Sequence, residues 1–450
     1  MTKARNLAIV CWLVWGTISP VFSQEKTVLT LEESLRLALS QNPLYLASQE
    51  KIGGAQSQVR QAVANFFPTL NGQGMSNLDK KVFSVTFPSI IPGMPPQRVK
   101  LDFTKTYQFT MNFALPLFTG GRLISGLNTA QYNLASTREN VRQSRQDTVF
   151  NVKQAFYGCL LAKKFAEVAG EAVALAEKHF QNVKNLYDAG MASKFDLLRS
   201  EVQMANLKPQ LIRARNGVEA AELGLKTLVG LDLDSPVEVR GELTFQPFDA
   251  DENDLMSKAL SLRPEVRQMD YQRLMAGEML KIAKAGYLPS VAVAGNYNYW
   301  ADRFNFRNQN WESYYSFNLV ISVPIFNGFV NSAKVAESKA MIKGLEYSRK
   351  GLLDMVRLEV KQAVLNLSQA KESLLSQEKN VEQAQETVRI AELNYSEGLA
   401  TNLDVSTTQV ALSQAKTNYA QALFDYALAL AQLERAMGSG GDENQDAAVK

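Results

Sequence analysis

The chain has 450 residues, 46% of them apolar and 21% charged, and its 48 Lys and Arg against 45 Asp and Glu leave a formal net charge of +3. That balance lacks the basic face a nucleic-acid binder needs, and the content of apolar and aromatic residues is that of a folded chain. One histidine, His179, and two cysteines, Cys11 and Cys159, argue against a His/Cys metal site, a Ser-His-Asp triad and a disulfide framework at once. What remains is an enzyme built on carboxylates or a cofactor, or a protein that does no chemistry.

Residues 1–23 read as an export signal. Lys3 and Arg5 form a basic start, 7–15 an apolar core, and 17–23 a small, polar segment with Val21 and Ser23 at −3 and −1 of a cleavage before Gln24. The core is too short for a lasting membrane helix, and no later stretch reaches the apolar length of one. A periplasmic, secreted or outer-membrane β chain is therefore expected.

The rest of the chain is duplicated. Ala38-Leu39-Ser40 with Pro43 recurs 221 residues on as Ala259-Leu260-Ser261 with Pro264, and Ala62, Ala64 and Pro68 meet Ala283, Ala285 and Pro289. From Leu115-Pro116-Leu117-Phe118 against Val323-Pro324-Ile325-Phe326 the offset is 208, and it holds to Gly230 and Gly438. The expected division is a first repeat at 24–230, a linker at 231–251, a second repeat at 252–438 and a disordered tail at 439–450. The 13-residue drop in offset falls where 78–102, with Pro88, Pro92, Pro95 and Pro96, reads as a loop.

Within each repeat the periodicity changes from two to seven. A weak strand at 67–77 precedes a strong one, in which Tyr107, Phe109, Met111, Phe113, Leu115 and Leu117 alternate with Gln108, Thr110, Asn112 and Ala114. In the second repeat 291–299 alternates loosely, and Tyr315, Phe317, Leu319, Ile321 and Val323 alternate with Ser316, Asn318 and Ser322. Strands of about ten residues, apolar on one face and small and polar on the other, suit the wall of an outer-membrane barrel. Trp300, Trp311, Tyr314 and Tyr315 cluster where an aromatic girdle would lie. Four strands cannot close, and small barrels need about 8. Open edges in lipid are forbidden, so the barrel must be shared among subunits; three chains supply twelve strands.

The proline-poor stretches after these strands, 117–235 with only Pro209 and 325–450 with none, read as helix. Leu353, Val360, Leu367, Leu374, Val381, Val388 and Tyr395 fall seven apart, and Val356, Ala363, Ala370, Ala384 and Ala391 fill the +3 positions of a heptad seam. The first repeat matches with Val152, Cys159, Ala166, Val173, Phe180 and Tyr187. A single helix over 121–187 would extend ~100 Å. Cys159 fills the seam, His179 flanks it in a solvated position, and Pro209 kinks its helix or marks a loosened coil. After each long helix Gly190 or Gly398 can take the left-handed conformation that ends it. Ser193 and Thr401 follow as N-caps, three residues ahead of Asp196 and Asp404. That spacing is close to a capping box with Asp in place of Glu, and it leaves open whether the carboxylates do more than cap.

These residues resemble the TolC-like outer-membrane efflux family over about 30–438. The marks are the duplicated Ala-Leu-x-x-x-Pro helix starts at 38–43 and 259–264, the Pro-Leu-Phe-Thr-Gly-Gly and Pro-Ile-Phe-Asn-Gly strand exits at 116–121 and 324–328, and the Tyr-x-x-Gly-x-x-(Ser/Thr)-x-x-Asp turns at 187–196 and 395–404. The resemblance implies a mainly helical α+β fold: a homotrimer whose 12-stranded barrel in outer-membrane lipid continues into a long periplasmic coiled-coil α-barrel, with 231–251 in its equatorial region. It implies no catalysis and no cofactor or metal. The partners implied are a periplasmic adaptor (membrane fusion) protein and an inner-membrane pump of RND or ABC type. The duct would passively carry small molecules such as drugs, metals or other toxic compounds; a type I protein secretion channel and an exported structural coiled coil are the alternatives. In the family the repeated turns form the periplasmic tip. Tyr187, Gly190, Ser193, Asp196, Gly398 and Thr401 would dock the adaptor, and Asp404, Thr407 and Tyr395 would form the gate. Asp404 matches an acidic ring, while Thr407 stands where a second acidic ring can occur and Ala400 where an Arg can lock the coils.

Overall fold

The computed structural model describes residues 26–78, 82–89, 91–102, 107–249, 251–301, 304 and 311–439. The expected signal segment and the tail beyond Ser439 lie outside them. A short strand β1 (Thr27–Leu29) leads into α1 (Leu31–Gln41) and α2 (Pro43–Ala64). Thr30 caps α1 by accepting from the Glu33 N–H at 3.2 Å. Asn42 separates the helices: its Oδ1 accepts from the N–H groups of Leu44 and Tyr45 at 2.9 and 3.0 Å, and Pro43 occupies the first position of α2, where no N–H is needed. Then come β2 (Thr69–Ser76), β3 (Val82–Phe87), β4 (Gln97–Asp102) and β5 (Tyr107–Phe118). The 67-residue α3 (Arg122–Asp188) follows, at 1.5 Å per residue a rod of ~100 Å, and then α4 (Lys194–Val229).

The chain continues through β6 (Val237–Val239) into a second set of elements: α5 (Glu252–Leu262), α6 (Pro264–Ala285), β7 (Ser290–Ala301), β8 (Glu312–Ser322), a second 67-residue helix α7 (Val330–Ser396) and α8 (Asn402–Ala436). The helix bounds recur at the offsets the sequence carries, residue for residue in α3 and α7. Helix α4 is continuous through Pro209, whose carbonyl accepts from Arg213 Nε at 3.4 Å. No described helix is long and apolar enough to cross a membrane.

The main sheet is antiparallel, in the order β2-β5-β7-β8. Its registers sort the side chains by face. Phe113 pairs with Leu70 and Gly295, and Gly295 with Phe317; Met111 pairs with Tyr297, and Tyr297 with Tyr315. The opposite face carries whole rows of polar partners, Asn71–Asn112–Asn296–Ser316 and Gln73–Thr110–Asn298–Tyr314. Among the described residues, both outer strands, β2 and β8, have an edge without a partner. Two further pairings were not expected. Segment 78–102, read as a loop on its prolines, carries the β3–β4 hairpin, because Val82, Phe83, Val85 and Phe87 favour strand and the prolines fall outside the two strands. The linker contributes β6, which pairs in parallel with β1.

Each repeat has its own core near mid-length. The first gathers Leu29, Leu37, Val152, Phe156, Cys159, Leu225, Val229 and Val237; the second gathers Leu255, Val266, Val356, Val360, Leu367, Tyr426 and Leu433. The linker seals the second: Tyr426, 1% exposed, donates its hydroxyl to the Gln246 carbonyl at 2.7 Å and accepts from the Phe248 N–H at 3.1 Å. The repeats join where α3 packs on α6 and α8, with Arg435–Asp147 at 2.7 Å and a Lys153–Glu434 pair. Helix α2 packs on α3, α4 on α1 and α3, and α7 on α5, α6 and α8. The chain is thus an open wall, with β2, α2 and α4 along one side and β8 and α7 along the other. Exposed apolar side chains line both sides, such as Leu44 and Ile212 on one and Met341, Leu358 and Leu365 on the other.

Gly230 ends α4 at φ 79, and a Cβ there would lie 2.7 Å from the Gln41 carbonyl oxygen. Left-handed strain and overpacking together predict that Gly230→Ala destabilises the fold by roughly 2–4 kcal/mol. Its counterpart Gly438, also left-handed but with its nearest neighbour at 3.0 Å, should lose less. Thermal unfolding of the two variants side by side measures the difference.

Candidate functional site at the helical turns

The turns α3–α4 and α7–α8 lie at the end of the wall away from the sheet. Both reverse the chain in the same way. Gly190 and Gly398 each adopt φ 76, and the following N–H groups, of Met191 and Leu399, reach back to the Leu186 and Asn394 carbonyls at 2.7 Å. Ser193 accepts from the Asp196 N–H at 3.1 Å and donates to Asp196 Oδ2 at 2.6 Å. Thr401 makes the same pair with Asp404, at 3.3 and 2.6 Å, and adds its own N–H to Asp404 Oδ2 at 2.8 Å. The reciprocal capping box is therefore complete in the second repeat. Asp404 is exposed, and the hydrogen bond from the Thr401 hydroxyl, followed by that from the Thr401 N–H, holds its carboxyl below the ordinary range. Capping occupies Oδ2 and keeps the carboxylate charged, so capping and a role for that charge are compatible.

The other sequence-selected residues separate by repeat. Thr407, one turn after Asp404, is exposed and donates to the Leu403 carbonyl at 2.8 Å. Tyr395 is half-buried, and burial, then the charge of Asp196, push its hydroxyl pKa up. Its partner Tyr187, placed by the heptads on the seam, is instead exposed at 37%. Around these residues the turns present Met191, Phe195, Leu198, Leu399, Leu403 and Val410, all exposed.

Sequence reasoning missed the link between the two turns. His179, expected in solvent, is 6% exposed, and its Nε2 lies 2.7 Å from Oδ1 of Asn402, itself 4% exposed. Asn402 Nδ2 donates to the Asp196 carbonyl at 3.0 Å, which fixes Oδ1 as the acceptor and makes His179 Nε2 the donor. One asparagine thus joins α3, α4 and α8, and the His179 ring lies 5.4 Å from that of Tyr395 on α7. A strict heptad drifts relative to a straight helix by ~20° per repeat. At this end of α3 the buried stripe accordingly runs through Ala176, His179 and Val183 rather than Phe180. Nothing in the sequence marks Asn402, a polar residue in a first helical turn.

Chemistry elsewhere is sparse. Cys159 is fully buried in the seam, and burial raises its thiol pKa to about 12. Among the described residues no cluster of three or more His, Cys, Asp or Glu is arranged to hold a metal.

The profile of a protein family described as "Outer membrane efflux protein" matches residues 34–231 and 255–439. The outer membrane protein TolC of Vibrio cholerae is 21% identical over 339 residues, covering 74% of this chain and 77% of that protein. The alkaline protease secretion protein AprF of Pseudomonas aeruginosa is 25% identical over 451 residues, covering 96% and 88%. Among solved structures, the CmeC outer membrane channel of Campylobacter jejuni superposes with a TM-score of 0.74 at 13% identity, over 99% of this chain and 96% of that one.

Proposed function

The chain belongs to the outer membrane efflux protein family, and from that premise we propose that three copies, each of two repeats, close into an exit duct for small molecules served by a periplasmic adaptor and an inner-membrane pump. Family members are outer-membrane channels of Gram-negative bacteria that extend into the periplasm, and this chain is one of them. The observation that carries the trimer is the pair of unsatisfied sides. Strands β2 and β8 bare their edges, and α2, α4 and α7 bare apolar flanks on the same two sides. In lipid an unpaired edge is prohibitive. The strand order makes β2 and β8 antiparallel, so β8 of one copy continues the pattern onto β2 of the next. Such a head-to-tail interface closes by rotation, and three copies supply a twelve-stranded wall.

In this reading the turn residues Tyr187, Gly190, Ser193, Asp196, Gly398 and Thr401 form the adaptor's landing surface, and Asp404, Thr407 and Tyr395 narrow the periplasmic mouth. The duct itself performs no reaction. In detergent, light scattering or native mass spectrometry should give a mass of three chains; a stable monomer would reject the architecture. A second reading, an exit channel for protein secretion, is favoured by the similarity to AprF along nearly the whole chain. Deletion of the gene separates them: efflux predicts greater sensitivity to toxic small molecules, secretion the loss of an exported protein from the medium.

A further inference from the structure

We propose that each chain holds a phosphorylated, multiply acylated glycolipid of the outer leaflet at the outer end of its barrel wall, with an acyl chain in an aromatic cavity on the lipid face and a phosphate on Arg98 and Lys100 of the β3–β4 hairpin. This rests on the barrel closing as described above. Helix α2 enters β2 near Thr69 and β5 leaves toward α3 at Phe118, so the end of the sheet at the Ser76–Tyr107 pair is the one remote from the helices, the outer end. There Tyr107, Phe109, Tyr297 and Tyr299 share the face that meets lipid. Phe304 and Trp311, from the β7–β8 connection, fold onto the same face: Trp311 stacks on Tyr299 with ring centroids 4.7 Å apart, and Phe304 lies 5.4 Å from Tyr107. These rings enclose a cavity of about 700 Å³ that reaches Gly74 on β2, a size within the ~300–1,000 Å³ of ligand sites. Gly74 leaves the room: a Cβ built there meets nothing within 4 Å.

The hairpin beyond this cavity is amphipathic. Phe83–Leu101 and Val85–Val99 pair on one face, and Ser84–Lys100 and Thr86–Arg98 on the other. Phe83, Val85, Phe87, Val99 and Leu101 are all exposed. An element with one apolar and one basic face lies in the plane of a membrane interface, its apolar side toward the acyl chains. Arg98 and Lys100 are exposed two residues apart on one strand, and among the described residues no carboxylate pairs with either. The sequence between β2 and β5 holds five cations against two anions, in a chain whose net charge is +3. That local excess complements phosphate, which a guanidinium binds in a fork and an ammonium as a point charge. The four residues between Asp102 and Tyr107 can span at most ~18 Å, comparable to the ~15 Å of hydrocarbon in one leaflet. One lipid can therefore reach both parts, and it is an anionic lipid with several chains, rather than a zwitterionic one, that satisfies both.

Native mass spectrometry of the full chain in detergent, titrated with bisphosphorylated lipid A, monophosphorylated lipid A and a zwitterionic phosphatidylcholine, tests the proposal. The unaltered chain should bind bisphosphorylated lipid A at least about tenfold more tightly than the phosphatidylcholine. Arg98→Gln with Lys100→Gln should lose about tenfold in affinity for bisphosphorylated lipid A, and with it the preference over the monophosphorylated form. Gly74→Leu, which the open space above Gly74 accommodates, fills the cavity; it should weaken both forms of lipid A alike and keep the preference between them. The two variants act on separate elements, so a folding defect in one leaves the other as the test. Equal binding of phosphatidylcholine by the unaltered chain, or lipid A affinity unchanged in the hairpin variant, overturns the proposal, the second result leaving the basic face to a protein partner. Affinity unchanged in Gly74→Leu overturns the acyl site. The same spectra report the assembly: a stable monomer removes the barrel and the lipid site together, whereas a trimer with any of these adverse results removes the lipid site alone.

Discussion

Gly190→Pro and Gly398→Pro should each abolish export while leaving the trimer and its insertion in the membrane intact. Proline fixes φ near −65° and has no N–H. Both glycines sit at φ 76, and their N–H groups donate to the Tyr187 and Tyr395 carbonyls at 2.9 and 3.1 Å. The substitution therefore destroys the reversal between α3 and α4, or between α7 and α8, and with it the surface formed by Met191, Phe195, Leu399 and Leu403. The strands that close the barrel lie at the far end of helices ~100 Å long, beyond the reach of that damage. Alanine is the informative control. A Cβ at either position meets nothing within 4 Å, so Gly→Ala carries only left-handed strain, about 1–2 kcal/mol, and export should be weakened rather than lost. Drug accumulation in cells, read beside the heat-resistant trimer band on a gel, separates the two effects. Normal export by both proline variants would reject docking at these turns.

The elements with long-range periodicity were legible in the sequence, and those made by single contacts were not. An expected helix over 121–187 became Arg122–Asp188 because sixty-odd residues of proline-free heptads leave no other solution. The strand faces were equally plain, since alternation at Tyr107–Phe118 has one reading once one side must be apolar. The three-residue strands β1 and β6 carry no periodicity at all; they pair across 210 residues because the linker returns to the first repeat's core. The β3–β4 hairpin was hidden by prolines that turned out to lie outside its strands. At the turns the capping spacing Ser193–Asp196 and Thr401–Asp404 was visible, because it is local. The His179–Asn402 bridge joins residues 223 apart in the chain. It arises only when the drifting stripe of α3 meets the first turn of α8, which no local pattern encodes.

Asp404→Asn should sharply weaken the block of the channel by trivalent cations added from the periplasmic side, and Asp196→Asn should not. In the proposed duct a threefold axis would gather three copies of Asp404 around one opening, where like charges concentrated beside a low-dielectric wall attract multivalent cations. Low conductance and cation preference follow for the unaltered chain. Thr407, a neutral hydroxyl bonded to the Leu403 carbonyl, adds no second ring, so the block should be weaker than in a channel with two acidic rings. The alternative is that Asp404 matters only as a cap. Thr401→Ala tests that directly: it removes the hydroxyl of the capping box and should loosen the α8 start by about 1 kcal/mol while leaving the three charges, and hence the block, in place. The pH dependence discriminates further. Because the Asp404 carboxyl pKa is lowered in the folded chain, its capping contribution is complete above the unfolded-state pKa and fades as pH falls through the folded value. The capping bonds favour the ionised ring while the mutual repulsion of three carboxylates opposes it, and block should fall as the medium is acidified through the carboxylate range. In Asp404→Asn what little block remains should not change with pH over that range. Equal effects of Asp404→Asn and Asp196→Asn on block would end the special role proposed for Asp404, since both residues cap a helix after the same glycine turn.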